Sequence, residues 1–152
     1  MNQINIHPSA FDPWQEIPEF QKVHLQGLSN YGATATFVGT MRDFNEGDEV
    51  LEMVLEHYPA MTQRQLQLVI AQAEKKWPLQ HVLLSHRVGA IQPADPIVLV
   101  AVWSAHRAAA FEACRFMMEA LKHQAPFWKK ENLITGDSRW VAKNTPGTSD
   151  TK

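Results

Sequence analysis

Seven consecutive apolar residues, followed at once by a long helical pattern, constrain the fold of this chain most strongly. The run from Ile97 to Trp103 has no polar alternation, which is typical of a central strand covered on both faces. The pattern from Ser104 to His123 predicts the longest helix of the chain. Its core stripe is predicted to consist of Phe111, Cys114, Met118 and Leu121. A sheet with a long helix packed against it is therefore the minimum architecture.

The rest of the chain alternates between strand and helix patterns. The predicted elements before the central strand are a strand over 2–7, a helix capped by Asp12 with Pro13 in its first turn, strands over 31–41 and 50–58, a helix over 59–76 and a strand over 81–88. We expect the strands on either side of the turn signal 45–48 to pair as a hairpin. The order predicts an α+β fold with a mixed, largely antiparallel sheet packed by about three helices, and a small extra β region near the C-terminus.

Composition indicates one ordinary globular domain. The chain has 152 residues, of which 45% are hydrophobic and 20% are charged. We assign residues 1–143 to a single domain, and we expect the polar tail over 144–152 to be disordered. The net charge of −2 excludes a chain-wide nucleic-acid footprint, so that any basic site must be local.

Cysteine and histidine usage narrows the possible chemistry. Cys114 is the only cysteine, which excludes an intramolecular disulfide and an all-cysteine metal site. Its place on the core stripe predicts a buried thiol rather than a nucleophile. His81 and His86 lie five apart on one predicted strand and face opposite sides, and we expect no metal site. With one thiol, no secretory signal and no apolar run near the ~20 residues of a membrane span, we expect a cytoplasmic protein.

Two lysines flank the proline that ends the long helix. Proline cannot continue a helix, so Pro126 predicts Lys122 in the last helical turn and Lys129 on the segment that leaves it. Phe127 and Trp128 lie between them, and this composition is more typical of a pocket rim than of a solvated tail. The pKa of a lysine also moves readily when the amine is buried or crowded by other cations.

A second group of cations lies where the long helix begins. Ser104 is suited to cap that helix, which would put His106 and Arg107 in its first turn, beside free N–H groups that favour an anion. A phosphate cradle is one interpretation. The other is that Arg107 extends into solvent and His106 packs. Arg42, at the end of a predicted strand, suits bidentate phosphate contacts, but taken alone it is better explained as an exposed charge paired with Asp43.

The length of the helix separates these two groups of cations. From His106 to Lys122 the helix rises roughly 24 Å at ~1.5 Å per residue. Both ends of one straight helix therefore cannot line one small pocket. If all these cations serve one site, its two halves come from two subunits, and we predict a homodimer with composite sites.

Several short motifs, spread along the chain in one order, are similar to a known family. They are Phe37–Arg42, Leu55–Met61, His86–Gly89, Ser104–Arg107, Ala110–Phe111, Leu121–Lys122, Pro126–Glu131 and Gly136–Val141. Together they resemble the large, catalytic subunit of molybdopterin synthase over about residues 30–141. The first ~30 residues resemble the family poorly, and we assign them no function.

The resemblance implies a hammerhead-like α/β fold and a sulfurtransferase of molybdenum cofactor biosynthesis. Family members convert cyclic pyranopterin monophosphate into molybdopterin, with sulfur from the thiocarboxylated C-terminal glycine of a small, ubiquitin-like subunit. The implied assembly is a heterotetramer, in which a homodimer of large subunits carries two small ones. No permanently bound cofactor, nucleic acid or membrane is implied.

The resemblance also implies roles for individual residues. Lys122 would be the central catalytic residue, and Lys129 would assist it. Positive charges nearby would lower the pKa of Lys122 and free its amine. The residues expected to bind or adjoin the substrate are Arg42, His106, Arg107, Thr40, Met41, Lys130 and Glu131, with His106 and Arg107 supplied by the second subunit.

Two other functions remain open at this point. The chain could be a non-catalytic scaffold that binds a ubiquitin-like tail and a phosphorylated ligand, since aromatic and cationic side chains anchor partner tails equally well. It could also be a generic phosphate-binding fold that acts without a partner protein. The sequence leaves open the order of the two sulfur transfers and whether Lys122 or Lys129 becomes acylated.

Overall fold

The computed structural model describes residues 1–124 and 127–141. Its helices are α1 (Pro13–His24), α2 (Pro59–Lys76) and α3 (Arg107–Gln124). Its strands are β1 (Asn2–His7), β2 (Ala33–Thr40), β3 (Phe44–Asn45), β4 (Asp48–His57), β5 (His81–Arg87), β6 (Gly89–Ile91), β7 (Pro96–Ser104), β8 (Phe127–Leu133) and β9 (Ser138–Val141). The predicted tail over 144–152 and the helix-ending Pro126 lie outside the described residues.

The first sheet has the strand order β1-β5-β7-β2, in which β1 and β5 are parallel and the other pairs are antiparallel. On β7, Val98, Val100 and Val102 pack into a core cluster with residues of α2 and α3, whereas Leu99 and Trp103 pack into a second cluster with Phe20 of α1. Helices thus cover both faces of β7, which is why its sequence lacks polar alternation. The predicted central strand is confirmed.

The second sheet has the order β3-β4-β8-β9. Strand β6 pairs with residues 53–55 of β4, on the edge opposite β8. The predicted hairpin between the strands over 31–41 and 50–58 is wrong, because β2 pairs with β7 and β4 pairs with β8. The turn signal is real, with positive φ at Glu46 (53°) and Gly47 (82°), but it joins β4 to the two-residue β3. The α+β class is confirmed, and its strands form two sheets rather than one.

Of the two predicted helix caps, one is confirmed and one is wrong. Asp12 caps α1 as expected, accepting a hydrogen bond from the backbone N–H of Trp14 at 2.9 Å. The prediction that Ser104 caps α3 is wrong. Ser104 is the buried last residue of β7, and its hydroxyl donates to the carbonyl oxygen of His106 at 2.6 Å. Helix α3 therefore begins only at Arg107.

The predicted core stripe of α3 is partly wrong. Cys114 and Leu121 are buried, but Phe111 is 68% exposed and Met118 is only half-buried. The buried face consists of Ala110, Ala113, Cys114, Met117, Ala120 and Leu121. Three alanines belong to this buried face, and the larger Phe111 lies outside it. Among the helices within residues 1–124 and 127–141, none is long and apolar enough to span a membrane.

A polar network attaches α1 to the first sheet. The fully buried hydroxyl of Ser85 on β5 donates to Glu16 Oε2 at 2.5 Å, and His7 of β1 pairs with the other oxygen of the same carboxylate. The His7 ring also stacks on Phe11, with centroids 4.5 Å apart. Because these partners come from two strands and a helix, the network fixes where α1 lies on the sheet.

Removing the buried hydroxyl or the carboxylate of this network should destabilise the fold. We expect Ser85→Ala and Glu16→Gln each to lower the free energy of unfolding by about 1–3 kcal/mol, because buried polar partners are left unsatisfied. Urea unfolding measures this change. Glu19→Gln, on the same helix but exposed, is the matched control and should change the stability by less than ~0.5 kcal/mol. Equal effects of Glu16→Gln and Glu19→Gln would contradict the assignment.

Candidate active site between the two sheets

A cleft of about 510 Å³ lies where the end of β2, the last turn of α3 and strand β8 meet. This volume is within the range of small-molecule sites. Six of the residues predicted from the sequence to belong to a site line this cleft: Thr40, Met41, Arg42, Lys122, Lys129 and Glu131. Its apolar wall includes Phe37, Met53, Leu55, Ile97, Val98 and Phe127. Cations thus share the cleft with apolar surface, as a site for a charged ligand with an apolar part requires.

The two lysines converge on this cleft as predicted from their places in the sequence. Lys122 lies in the last turn of α3, and Lys129 lies on β8. The cleft walls displace water from the Lys122 ammonium and lower its pKa, and the positive charges of Lys129 and Arg42 lower it further. Burial likewise lowers the pKa of Lys129, although the carboxylate of Glu131 opposes the shift. Both amines are therefore more readily deprotonated than an ordinary surface lysine.

Neighbouring residues of β8 have opposite orientations. Side chains alternate along a strand, so Lys129 and Glu131 face the cleft while Lys130 does not. Glu131 is only 4% exposed and accepts hydrogen bonds from Asn45 and Arg139. The Lys130 ammonium instead lies 5.9 Å from the ring centroid of Trp140.

The end of β2 supplies the third cation of the cleft. Arg42 follows directly after the strand, and its guanidinium lies over the ring of Phe44 at 4.9 Å. Thr40 is exposed, and Met41 is buried in the cluster that joins β4 to β8. The pairing of β2 with β7 shifts register between Gly39 and Thr40, which is a bulge-like irregularity just before Arg42.

His106 and Arg107 lie at the other end of α3 and do not line the cleft. Helix α3 has 18 residues, which corresponds to a length of roughly 27 Å. Both residues are exposed. Within one chain, the structure therefore separates the two groups of cations that the sequence analysis singled out.

Comparison with known proteins identifies the family. The family model described as MoaE protein matches residues 14–124. A molybdopterin synthase catalytic subunit of Pseudomonas aeruginosa is 49% identical over 138 residues, which cover 91% of this chain and 89% of the relative. This chain belongs to the MoaE family. The resemblance drawn from the sequence motifs is confirmed, and it reaches further toward the N-terminus than residue 30.

Solved structures of MoaE relatives share the fold. The molybdopterin biosynthesis MoaE protein from Burkholderia ambifaria superposes with a TM-score of 0.77 at 42% identity, covering 96% of this chain and 93% of that one. The molybdopterin synthase from Staphylococcus aureus gives a TM-score of 0.80 at 27% identity, covering 93% of this chain and 98% of that one. The α+β fold with two sheets is thus that of the family.

One residue of the cleft was not predicted as part of the site. His86, at the end of β5, is 7% exposed and lines the cleft, where its ring stacks on Phe127 with centroids 4.2 Å apart. Its Nδ1 lies 2.7 Å from the carbonyl oxygen of Arg87, which can only accept, so Nδ1 carries the hydrogen. Burial lowers the pKa of His86 to about 4. The motif His86–Gly89 marked this residue, but a strand pattern does not show which histidine faces a cleft.

The thiol is buried, as its place on the helix stripe predicts. Cys114 is buried, and its Sγ donates to the carbonyl oxygen of Val100 at 3.7 Å. Burial raises the pKa of the Cys114 thiol to about 11, so it is a poor nucleophile. Within residues 1–124 and 127–141, no group of three or more histidine, cysteine, aspartate or glutamate side chains could hold a metal ion.

The buried His86 should make folding depend on pH. Its folded pKa of about 4 lies below its ordinary value of 6.5, so stability is full above pH 6.5 and is lost as the pH falls toward 4. The expected loss is about 3 kcal/mol, from about 1.4 kcal/mol per pH unit. Urea unfolding at pH 7 and pH 4 measures it.

The control for this prediction is His86→Gln, which cannot become charged. The pKa of His81 is also lowered, but His81 is present in both proteins, so the difference between their pH profiles isolates His86. Identical losses of stability in the two proteins would contradict the assignment.

Proposed function

We propose that this chain catalyses the conversion of cyclic pyranopterin monophosphate to molybdopterin, as the large subunit of a molybdopterin synthase. The observation that best supports this proposal is the cleft, which Lys122, Lys129 and Arg42 line together. Both lysines have a lowered pKa, in part because of the Arg42 charge. The name of the relatives, catalytic subunit, supports an enzyme that works together with a second chain. The reaction belongs to the sulfurtransferase class.

The residues of the cleft suit separate roles in this reaction. As a neutral amine, Lys122 accepts a proton while sulfur is added to the pterin, or it attacks the acyl carbon of the partner, whose carbon–sulfur bond breaks to leave the sulfur on the pterin while the amine loses a proton to water. Lys129 and Arg42 bind the anionic phosphate, for which the guanidinium supplies a bidentate contact. Glu131 adjoins Lys129, and Thr40 and Met41 form the neighbouring wall. Lys130 is left outside this assignment, because it faces away from the cleft.

The sulfur donor in this proposal is a small, ubiquitin-like subunit with a thiocarboxylated C-terminal glycine. A donor from outside the chain is needed, because the only thiol, Cys114, is buried and its pKa is raised. The cleft is lined by apolar side chains beside its cations, which suits an extended tail that ends in an anion. The reaction needs no permanently bound cofactor, and we place it in the cytoplasm.

The large subunit is proposed to act as a homodimer that carries two small subunits. The support is the length of α3, which keeps His106 and Arg107 roughly 22–24 Å from Lys122 within one chain. A second copy can bring its own His106 and Arg107 to the cleft if the two chains are related by a two-fold axis.

Loss of the Lys122 amine should abolish catalysis and leave the partner bound. We expect Lys122→Ala to lower the rate of molybdopterin formation by at least ~100-fold, since proton transfer contributes that much or more. The assay combines the purified chain, the thiocarboxylated partner and cyclic pyranopterin monophosphate. Lys75→Ala, in the last turn of α2, is the matched control. A variant that loses only affinity for the partner would favour the non-catalytic scaffold.

Mixed dimers test whether the site is shared between two chains. In a dimer of one His106→Ala chain and one Lys122→Ala chain, one composite site carries both changes and the other carries neither. A random mixture should therefore recover about a quarter of the wild-type rate, since half of its dimers are mixed and each has one intact site. Native mass spectrometry verifies that mixed dimers form. If mixed dimers form and no activity is recovered, the site is not shared between two chains.

A further inference from the structure

A polar cluster at the edge of the cleft has Arg139 at its centre. From β9, its Nε donates to Glu131 Oε1 at 3.0 Å, and its Nη1 donates to Asp48 Oδ2 at 2.7 Å. Its Nη2 donates to the carbonyl oxygen of Asn45 at 2.9 Å, and Glu46 Oε2 lies 3.7 Å from Nη1. One guanidinium thus joins β8 and β9 to the turn between β3 and β4.

Glu131 is the member of this cluster that also lines the cleft. Its carboxylate is 4% exposed and accepts from Asn45 Nδ2 at 3.0 and 3.2 Å in addition to Arg139. A buried carboxylate is costly unless a cation and hydrogen bonds compensate it. Lys129 lies two residues earlier on the same face of β8. Two cations, Arg139 and Lys129, are therefore within reach of one buried carboxylate.

The geometry assigns Arg139 a positioning role, which rests on the proposed function of Lys129: by holding Glu131 and the β3–β4 turn, Arg139 prevents the carboxylate from pairing with Lys129. Arginine suits this role because its planar fork binds several acceptors at once. Lysine at the same position would carry the charge without the fork. Arg139 does not line the cleft, so it acts through Glu131 rather than on the substrate.

Burial lowers the pKa of Lys129 most, and charges from four elements modify it. Glu131 on β8 and Glu46 in the β3–β4 turn raise its pKa, whereas Arg42 after β2 lowers it. Lys122 on α3 is the fourth, since it and Lys129 repel each other. Without Arg139, the carboxylate of Glu131 would lose its bonded cation and attract Lys129 more strongly. The Lys129 amine would then stay protonated to a higher pH.

The direct test is to titrate the Lys129 amine. NMR of ¹³C-methylated lysines, with the Lys129 signal assigned from its loss in Lys129→Arg, follows this amine without any reaction. We expect Arg139→Gln to move the Lys129 titration upward by on the order of one pH unit. Adding Glu131→Gln should move it back. Asp48→Asn removes an exposed partner of Arg139 and should leave the titration within about 0.3 units of wild type.

Arg139→Lys provides a second variant in case Arg139→Gln does not fold. It keeps the charge and loses the fork, so the Lys129 titration should move in the same direction by a smaller amount. Circular dichroism verifies the fold of each variant. An unchanged Lys129 titration in folded Arg139→Gln or Arg139→Lys, or a shift that Glu131→Gln does not reverse, would overturn the positioning role.

Activity separates this proposal from the proposed function. In the reconstituted synthase at neutral pH, Arg139→Gln should cause a loss of pterin affinity, with KM raised on the order of tenfold and little change in the rate constant, because a Lys129 paired with Glu131 no longer binds the phosphate. The double variant with Glu131→Gln should regain part of that loss. A shifted titration with an unchanged KM would support the coupling of Arg139 to Lys129 and would overturn the phosphate-binding role of Lys129.

Discussion

The antiparallel pairing of β4 with β8 determines where the chemistry of this chain can occur. It returns the chain after α3 to the second sheet and pairs Leu55 with Lys129 and Met53 with Glu131. Leu55 and Met53 belong to the buried cluster between the sheets, so their partners on β8 face the same side. Lys129 is thereby held beside the end of α3, where Lys122 lies. A shift of one residue in this register would turn both β8 side chains away from the cleft.

The cleft concentrates positive charge at some cost to the folded state. Lys122, Lys129 and Arg42 repel one another, and burial adds to that repulsion by removing water from the amines. Such an arrangement is expected where function requires a reactive amine or a bound anion. The neutral, buried His86 fits the same account, since its protonation would add another charge beside Lys122.

Much of the fold could be predicted because it follows from local patterns. The apolar run of β7 predicts that the strand is buried on both faces, and the Asp12 cap of α1 follows from the residues next to it. The pairing of β2 could not be predicted in this way, because strand pairing depends on distant partners and the turn before β4 suits a short hairpin equally well. The exposure of Phe111 was missed for a related reason, since a stripe shifted by one residue has the same helical period.

The site was only partly accessible to sequence reasoning. The lysine pair could be found because Lys122 and Lys129 flank a helix end, and strand alternation separates Lys130 from the cleft. Buried hydrogen bonds leave no comparable pattern in the sequence. The contact between Arg139 and Glu131 joins residues eight apart across a turn, and its importance became apparent only from the burial of the carboxylate.

In the proposed reaction, the crowded cations of the cleft make Lys122 a reactive amine. The most direct test is the pH dependence of single-turnover molybdopterin formation in the wild type, Lys129→Gln and Lys129→Arg. Removing the charge in Lys129→Gln should raise the pKa of Lys122 and move the rising limb of the profile upward by on the order of one pH unit, while Lys129→Arg keeps the wild-type limb. A limb at the same pH in all three proteins would contradict the account.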